Sequence, residues 1–209
     1  MALIVVGGQS RKVGKSAIVA GLIRAFRERP WTAIKISGHR HDAALGKVLV
    51  SHETDGTGHV DTARFLQAGA ERVFWVRGGE GGLEQAMPRI RQIIAEGSDT
   101  IIESNSVMRF VDPDLYLLVI DPAVEDFKDS AREFLPRVSA FIVNTGGNAI
   151  AAAGLPAKAV PASAAPPPSL PPQPRFAIRP PEFVTPELLA FIRERLASVK
   201  EEEQRRTKS

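Results

Sequence analysis

The sequence predicts an α/β fold of three layers, with a mainly parallel sheet of about six or seven strands and helices on both faces. Three observations carry this. From residue 2 to residue 144, short apolar runs of strand length alternate with segments of helical period, the pattern of successive βαβ units. The runs are apolar along their whole length, as strands covered on both faces are, and crossovers between such strands are right-handed. A chain of 209 residues, 44% of them hydrophobic, is long enough for one sizeable α/β domain and barely for two small ones.

The elements follow in order. Residues 2–6 are a buried strand that runs into a glycine-rich turn. Residues 15–26 are a helix with Ile18, Leu22, Ile23 and Phe26 on one face, closed by Pro30. Residues 32–37 are the second strand. Residues 38–58 carry four glycines and little periodicity, and read as a long loop with a short strand at 47–52. A helix at 60–70, ended by Gly69, precedes a strand at 72–76 and a helix at 81–95. Strands at 100–102, ending on Glu103, and at 115–120 come next, then a helix at 125–135 and a strand at 140–143 ending on Asn144.

Composition changes near residue 156. Eleven of the 16 prolines lie between Pro156 and Pro186, so 156–184 is an extended, partly polyproline segment that follows a domain at 1–155. Thr185 caps a last helix with Pro186 in its first turn and Leu188, Leu189, Ile192 and Leu196 along one face. Residues 185–209 are that helix and a charged tail, frayed from residue 200 onward.

Composition excludes several chemistries. There is no cysteine, hence no disulfide, thiolate metal site or cysteine nucleophile. No run approaches the ~20 apolar residues of a membrane helix, and the first residues lack the basic start of a signal peptide. A cytoplasmic location is the expectation. The net charge of +3 is unevenly spread, at +6 over residues 1–37, −5 over 38–162 and +2 over 163–209. An excess of cations confined to the first 37 residues points to a compact anionic ligand rather than a nucleic-acid track.

The segment VGGQSRKVGKS at residues 6–16 lies between a strand and a helix, where a phosphate loop must lie. There the N–H groups of a glycine-rich turn point at an anion, and the helix N-terminus adds partial positive charge. Lys15 would reach the β- and γ-phosphates and the Ser16 hydroxyl would bind Mg²⁺. Gly8, Arg11, Lys12, Val13, Gly14 and Ala17 complete the nucleotide cradle. The strict pattern G-x-x-x-x-G-K-[ST] is not met, because Gln9 stands at the first glycine; counted from Gly8 the loop is one residue longer.

The longer loop resembles that of dethiobiotin synthetase and the related cobyrinic-acid-type amidases. A second segment, DTARFLQAGA at residues 61–70, is similar to one in molybdopterin-guanine dinucleotide biosynthesis protein B. That family also has a phosphate loop and a strand ending in a lysine near histidines, as Lys35 and His39 stand here. The matches cover roughly residues 2–105 in order and imply a P-loop NTPase. Both families tend to follow the strand-end acid with glycine, where this chain has Glu103-Ser104-Asn105-Ser106, and no guanine-type N-K-x-D motif is present. Asn144 stands where the resemblance to dethiobiotin synthetase implies a contact with the base. ATP and GTP both stay open.

Other candidates follow from position. Glu103 ends a strand at the edge where open α/β sheets bind ligands, and a carboxylate there can hold Mg²⁺. Asp61 is a second Mg²⁺ ligand or a helix N-cap. Lys35 neutralises a phosphate or a substrate carboxylate, or is an exposed cation. Arg11 and Lys12 lie inside the loop and either stabilise the charge of a transferring phosphoryl group or merely border it in solvent; Lys15, Lys12 and Glu103 are the catalytic candidates. Asn144 reads the base or caps a strand. His39, His41, His52 and His59, interleaved with Asp42, Glu53, Asp55 and Asp61, could make a transition-metal site or a solvated polar loop. Trp31 and Trp75 read as packing residues.

The resulting expectation is Mg²⁺-dependent binding and hydrolysis of ATP or GTP, with an accessory role in molybdenum-cofactor nucleotide attachment as what the resemblance implies. The alternatives are an ATP-dependent ligase acting on a small carboxylate, a nucleotide switch with little turnover whose Pro-rich segment docks a protein partner, and a metallochaperone using the His-rich loop. A second copy of the chain is a further candidate partner; nucleic acid and membrane are not expected.

Overall fold

The computed structural model describes residues 1–38, 48–58, 60–78, 82–96, 99–146 and 169–206. In chain order the elements are β1 (Leu3–Gly8), α1 (Lys15–Ala25), β2 (Trp31–Gly38), β3 (Leu49–Glu53), α2 (Asp61–Ala68), β4 (Arg72–Gly78), α3 (Gly82–Ala95), β5 (Asp99–Glu103), β6 (Leu115–Ile120), α4 (Asp129–Arg132), β7 (Ala140–Asn144), β8 (Arg175–Ile178) and α5 (Pro186–Arg206). They form one eight-stranded sheet in the order β3-β4-β2-β5-β1-β6-β7-β8, parallel throughout except for the antiparallel β3–β4 pair.

The central strands are buried on both faces, as their continuous apolar runs require. Along β6, Leu115, Leu117 and Val119 pack with α1, α2 and α5, whereas Tyr116, Leu118 and Ile120 pack with α3 and the turns around α4. This two-sided packing makes the three layers. In α5, Leu188, Ile192 and Leu196 are buried at four-residue spacing, and burying each such side chain contributes roughly 2 kcal/mol.

The sheet has one strand more than expected. β8 pairs parallel with β7, Phe141 opposite Arg175 and Asn144 opposite Ile178. It is part of the segment read only as extended; four residues among prolines carry no periodicity that marks a strand, and its partner fixes it. Residues 156–168 of that segment, with His39, His41, Asp42 and His59, lie outside the described residues.

The helix expected over 125–135 is much shorter, a single α turn at Asp129–Arg132 followed by a 3₁₀ turn at Leu135–Arg137. Residues 121–128 spend their polar groups on the loop after β1 instead. The Lys128 N–H donates to the Gln9 carbonyl at 2.9 Å, the Ser10 hydroxyl donates to the Asp126 carboxylate at 2.6 Å, and the Val124 carbonyl accepts from the Gln9 amide. Helix α5 runs on to Arg206, through the stretch read as frayed, because its last residues are strong helix formers.

Candidate functional site

The loop of residues 9–14 joins β1 to α1 at the C-terminal edge of the sheet. Chain paths diverge here: α1 leads toward β2, and the connection after β5 leads across β1 to β6, so a crevice opens between them. Gly14, just before α1, has φ +104, which a residue with a Cβ adopts at a cost. Lys12 is also left-handed, at φ 61. These two reversals curl the loop. The first helical bond is from the Ile18 N–H to the Gly14 carbonyl at 3.1 Å, so the N–H groups of Lys15, Ser16 and Ala17 precede the helical ladder and are free to meet an anion.

The departure at Gln9 has a structural reason. Its buried side chain donates to the Val124 carbonyl and accepts from the Asp121 N–H at 2.9 Å. The residue therefore ties the loop to the β6–α4 connection. Asn105, two residues after β5, holds the end of β1: its Oδ1 accepts from the Gly8 N–H at 2.7 Å and its Nδ2 donates to the Gly8 carbonyl at 2.9 Å. The position where a glycine was expected thus holds a side chain that braces the start of the loop. Neither Gln9 nor Asn105 stood among the candidates; the sequence signals were that Gln9 stands at the first glycine of the strict pattern and that Asn105 follows Ser104, which replaces the glycine expected after Glu103.

Four candidates converge. Lys35 donates to Asp61 Oδ2 at 2.7 Å, to Glu103 Oε2 at 3.0 Å and Oε1 at 3.1 Å, and to Ser16 Oγ at 3.3 Å; Ser16 Oγ itself donates to Glu103 Oε2 at 2.8 Å. Asp61 is the first residue of α2 and Val60 is its N-cap, so Asp61 does not take the N-cap position offered for it. Burial alone would raise its pKa; the Lys35 hydrogen bond and charge outweigh that and hold it below the usual carboxylate range. Lys35 is well buried rather than exposed, as is Glu103. The hydroxyl and carboxylate oxygens of Ser16, Asp61 and Glu103 are hard donors of the kind that suit Mg²⁺, and in this structure the Lys35 ammonium neutralises the two carboxylates.

Lys15 folds back along the loop, donating to the Ser10 carbonyl at 2.9 Å. Burial lowers its pKa to about 8, helped by the charges of Lys128 and Lys35 and opposed by that of Glu103. Arg11, Lys12, Gly14, Lys15, Ser16, Ala17, Lys35, Asp61, Glu103 and Asn144 all line one cavity of about 920 Å³. Val13 is buried under the loop, and Gly8 ends β1 against the Lys15 stem. Asn144 donates from Nδ2 to the Val13 carbonyl at 3.2 Å and accepts from the Gly146 N–H at 3.0 Å, so it braces the loop and caps its own strand. Among the lining residues that were not site candidates are Arg64, Asn105, Lys128, and Pro180 and Phe183 from the connection after β8.

The described part of the His-rich loop is occupied locally. His52 stacks on Phe74 at 4.8 Å, Glu53 accepts from Ser51, and Asp55 accepts from Thr57. Among the described residues no group of three or more His, Asp or Glu side chains is placed to hold a metal, and no helix is long and apolar enough to cross a membrane. Trp31 is a packing residue, fully buried with its indole N–H on the Phe26 carbonyl at 2.9 Å.

No family model and no curated protein matches the sequence. Among solved structures, HypB from Helicobacter pylori in complex with nickel aligns at TM-score 0.52 and 14% identity, over 96% of this chain and 87% of that one. LpxK from Aquifex aeolicus, an "apo" form in complex with ATP, aligns at TM-score 0.45 and 15% identity over 85% of this chain, which spans 53% of that one. At such identities the likeness concerns architecture alone, and the architecture is the α/β fold of P-loop NTPases.

Proposed function

We propose that this protein binds a Mg²⁺–nucleoside triphosphate with its phosphates over residues 8–16 and hydrolyses it or transfers its γ-phosphoryl group. The observation that carries this reading is the convergence of Lys15, Ser16, Asp61 and Glu103 in one cavity at the mouth of a left-handed loop. Ser16, Glu103 and Asp61 would hold the metal, which would neutralise phosphate charge. Lys15 and Lys12 would stabilise the charge of the transferring group, so positioning and electrostatics carry the chemistry. Phe183 and Asn144, beside Gly14, would flank the base. A thermal-shift titration with Mg-ATP, Mg-GTP or no nucleotide tests it on wild type and Lys15→Ala. Wild type should gain stability as RT ln(1 + [L]/Kd) and the variant should not. A wild type unmoved by both triphosphates overturns the reading.

The role in molybdenum-cofactor nucleotide attachment rests on the resemblance at residues 61–70; a preference for GTP over ATP would support it. One observation favours a second substrate, as in the ligase reading. A smaller cavity of about 290 Å³ adjoins the first, sharing Ile36, Ser37, Gly38 and Ser106 with it, and is otherwise walled by apolar Val48, Val76, Leu83 and Phe110 with Glu84 and Arg109. ADP release that requires a small carboxylate would favour that reading.

A further inference from the structure

The phosphate cavity contains a cation that belongs to no motif. Lys128 precedes α4, and its backbone N–H is fixed to the Gln9 carbonyl at 2.9 Å, so its side chain issues from the wall beside the start of the loop. It lines the same cavity as Arg11, Lys15 and Glu103. Among the described residues its ammonium has no hydrogen bond and no ion pair. The adjacent carboxylate, Asp126, is engaged by the Ser10 hydroxyl at 2.6 Å.

We propose that Lys128 is a phosphate-binding side chain, delivered within the chain by the β6–α4 connection, that contacts the terminal phosphoryl group of a bound nucleoside triphosphate. This rests on the nucleotide reading above and adds to it which phosphate is recognised and by what.

Position favours the terminal phosphate. The charge of Lys128 acts on Lys15 and that of Glu103 acts on Lys128, so its ammonium lies near both groups. Ser16 donates to Glu103 at 2.8 Å, and the Lys15 ammonium folds back to the Ser10 carbonyl at 2.9 Å. Lys128, anchored by its backbone to Gln9, meets the cavity beside this cluster, where the metal-bound outer phosphates of the nucleotide reading would lie.

Energetics agree. Lys128 is half-buried, and burial first, then the charge of Arg11, lowers its pKa. The charges of Asp126 and Glu103 offset part of this, and a desolvated cation beside Arg11 stays costly until an anion arrives. Among the described residues, Arg11, Lys12, Lys15, Lys35, Arg64 and Lys128 line the cavity with Asp61 and Glu103 as its carboxylates. Such an excess suits a ligand whose charge is concentrated at its end.

The test is calorimetric titration of Mg-ATP against Mg-ADP, and of Mg-GTP against Mg-GDP, on wild type, Lys128→Met and Lys128→Arg. Loss of a charge-assisted hydrogen bond predicts that Lys128→Met binds the triphosphate about tenfold or more weakly. Its diphosphate affinity should stay within about twofold, and Lys128→Arg should recover most of the loss. The melting temperature of nucleotide-free Lys128→Met should be no lower than that of wild type, since its backbone bond to Gln9 remains. Equal losses for di- and triphosphate, or no loss, overturn the assignment of Lys128 while leaving nucleotide binding intact. A wild type that binds neither nucleotide sinks the underlying reading instead.

Discussion

Lys35 and Glu103 are register partners across the parallel β2–β5 pair, and the ammonium of one lies 3.0 Å from the carboxylate of the other. Parallel pairing places both side chains on the same face of the sheet. With Asp61 at 2.7 Å, the ammonium occupies the same oxygen cluster that would ligate Mg²⁺.

Lys35→Met should therefore destabilise the metal-free protein. It leaves a well-buried carboxylate without its cation, which costs about 3 kcal/mol. Added Mg²⁺ should restore more stability to the variant than it adds to wild type. Urea unfolding with and without Mg²⁺ measures both, and an unchanged midpoint without metal would refute the arrangement.

Lys15 makes nucleotide affinity depend on pH. Its folded-state pKa of about 8 lies below the usual 10.5, so folding favours the neutral form. The penalty on the charged form is fully present below pH 8 and is relieved as pH rises from about 8 to 10.5, amounting to roughly 3 kcal/mol at most. The nucleotide-free protein should gain stability from this group across that window. Phosphate binding needs the charged form, so affinity should fall as pH rises above 8, with proton uptake visible in buffers of different ionisation enthalpy. Lys15→Met should abolish both effects.

Asn105→Ala removes both amide bonds to Gly8. A partly buried N–H and carbonyl are left without partners, costing about 1–3 kcal/mol. Because these bonds brace the start of the loop, nucleotide affinity should fall too. Stability alone changing, with affinity intact, would show that the clamp does not shape the site.

Asp99 predicts part of the acid sensitivity. Burial would raise its pKa, but the Arg29 side chain at 2.5 Å, the Ala2 N–H and the nearby amino terminus outweigh that and lower it. Its contribution is present above the ordinary carboxylate pKa and is lost as pH falls through the lowered folded value. Asp99→Asn should flatten the stability profile in that acid range. A profile parallel to wild type would count against the pair.

Gly21 on α1 sits under Val184, whose Cγ2 lies 2.3 Å from where a Cβ would be. Gly21→Ala should push the Val184 segment off α1 and displace Phe183 from its place beside Gly14. Nucleoside triphosphate affinity should drop several-fold, while inorganic triphosphate affinity should not. Equal effects on both ligands would place Phe183 outside the base region.

The sequence alone determined the order of the strands from β1 to β7, the two-sided burial of the central ones and the location of the loop before α1. Each of these is written in short-range periodicity or in one contiguous motif. It also named Lys15, Ser16, Lys35, Asp61 and Glu103, because strand ends and helix starts place them on one edge. Only the tertiary structure decided that the Lys35 ammonium lies between the acidic candidates Asp61 and Glu103, that Asn105 and Gln9 brace the loop, that residues 121–128 forgo helix to do the same, and that the connection after β8 brings Phe183 to the cavity. Those relations depend on strand register and on hydrogen bonds between segments far apart in the chain, such as Gln9 and Asp121, 112 residues away. No local pattern encodes such a pairing, because the free energy that fixes it comes from burying both segments against the same sheet.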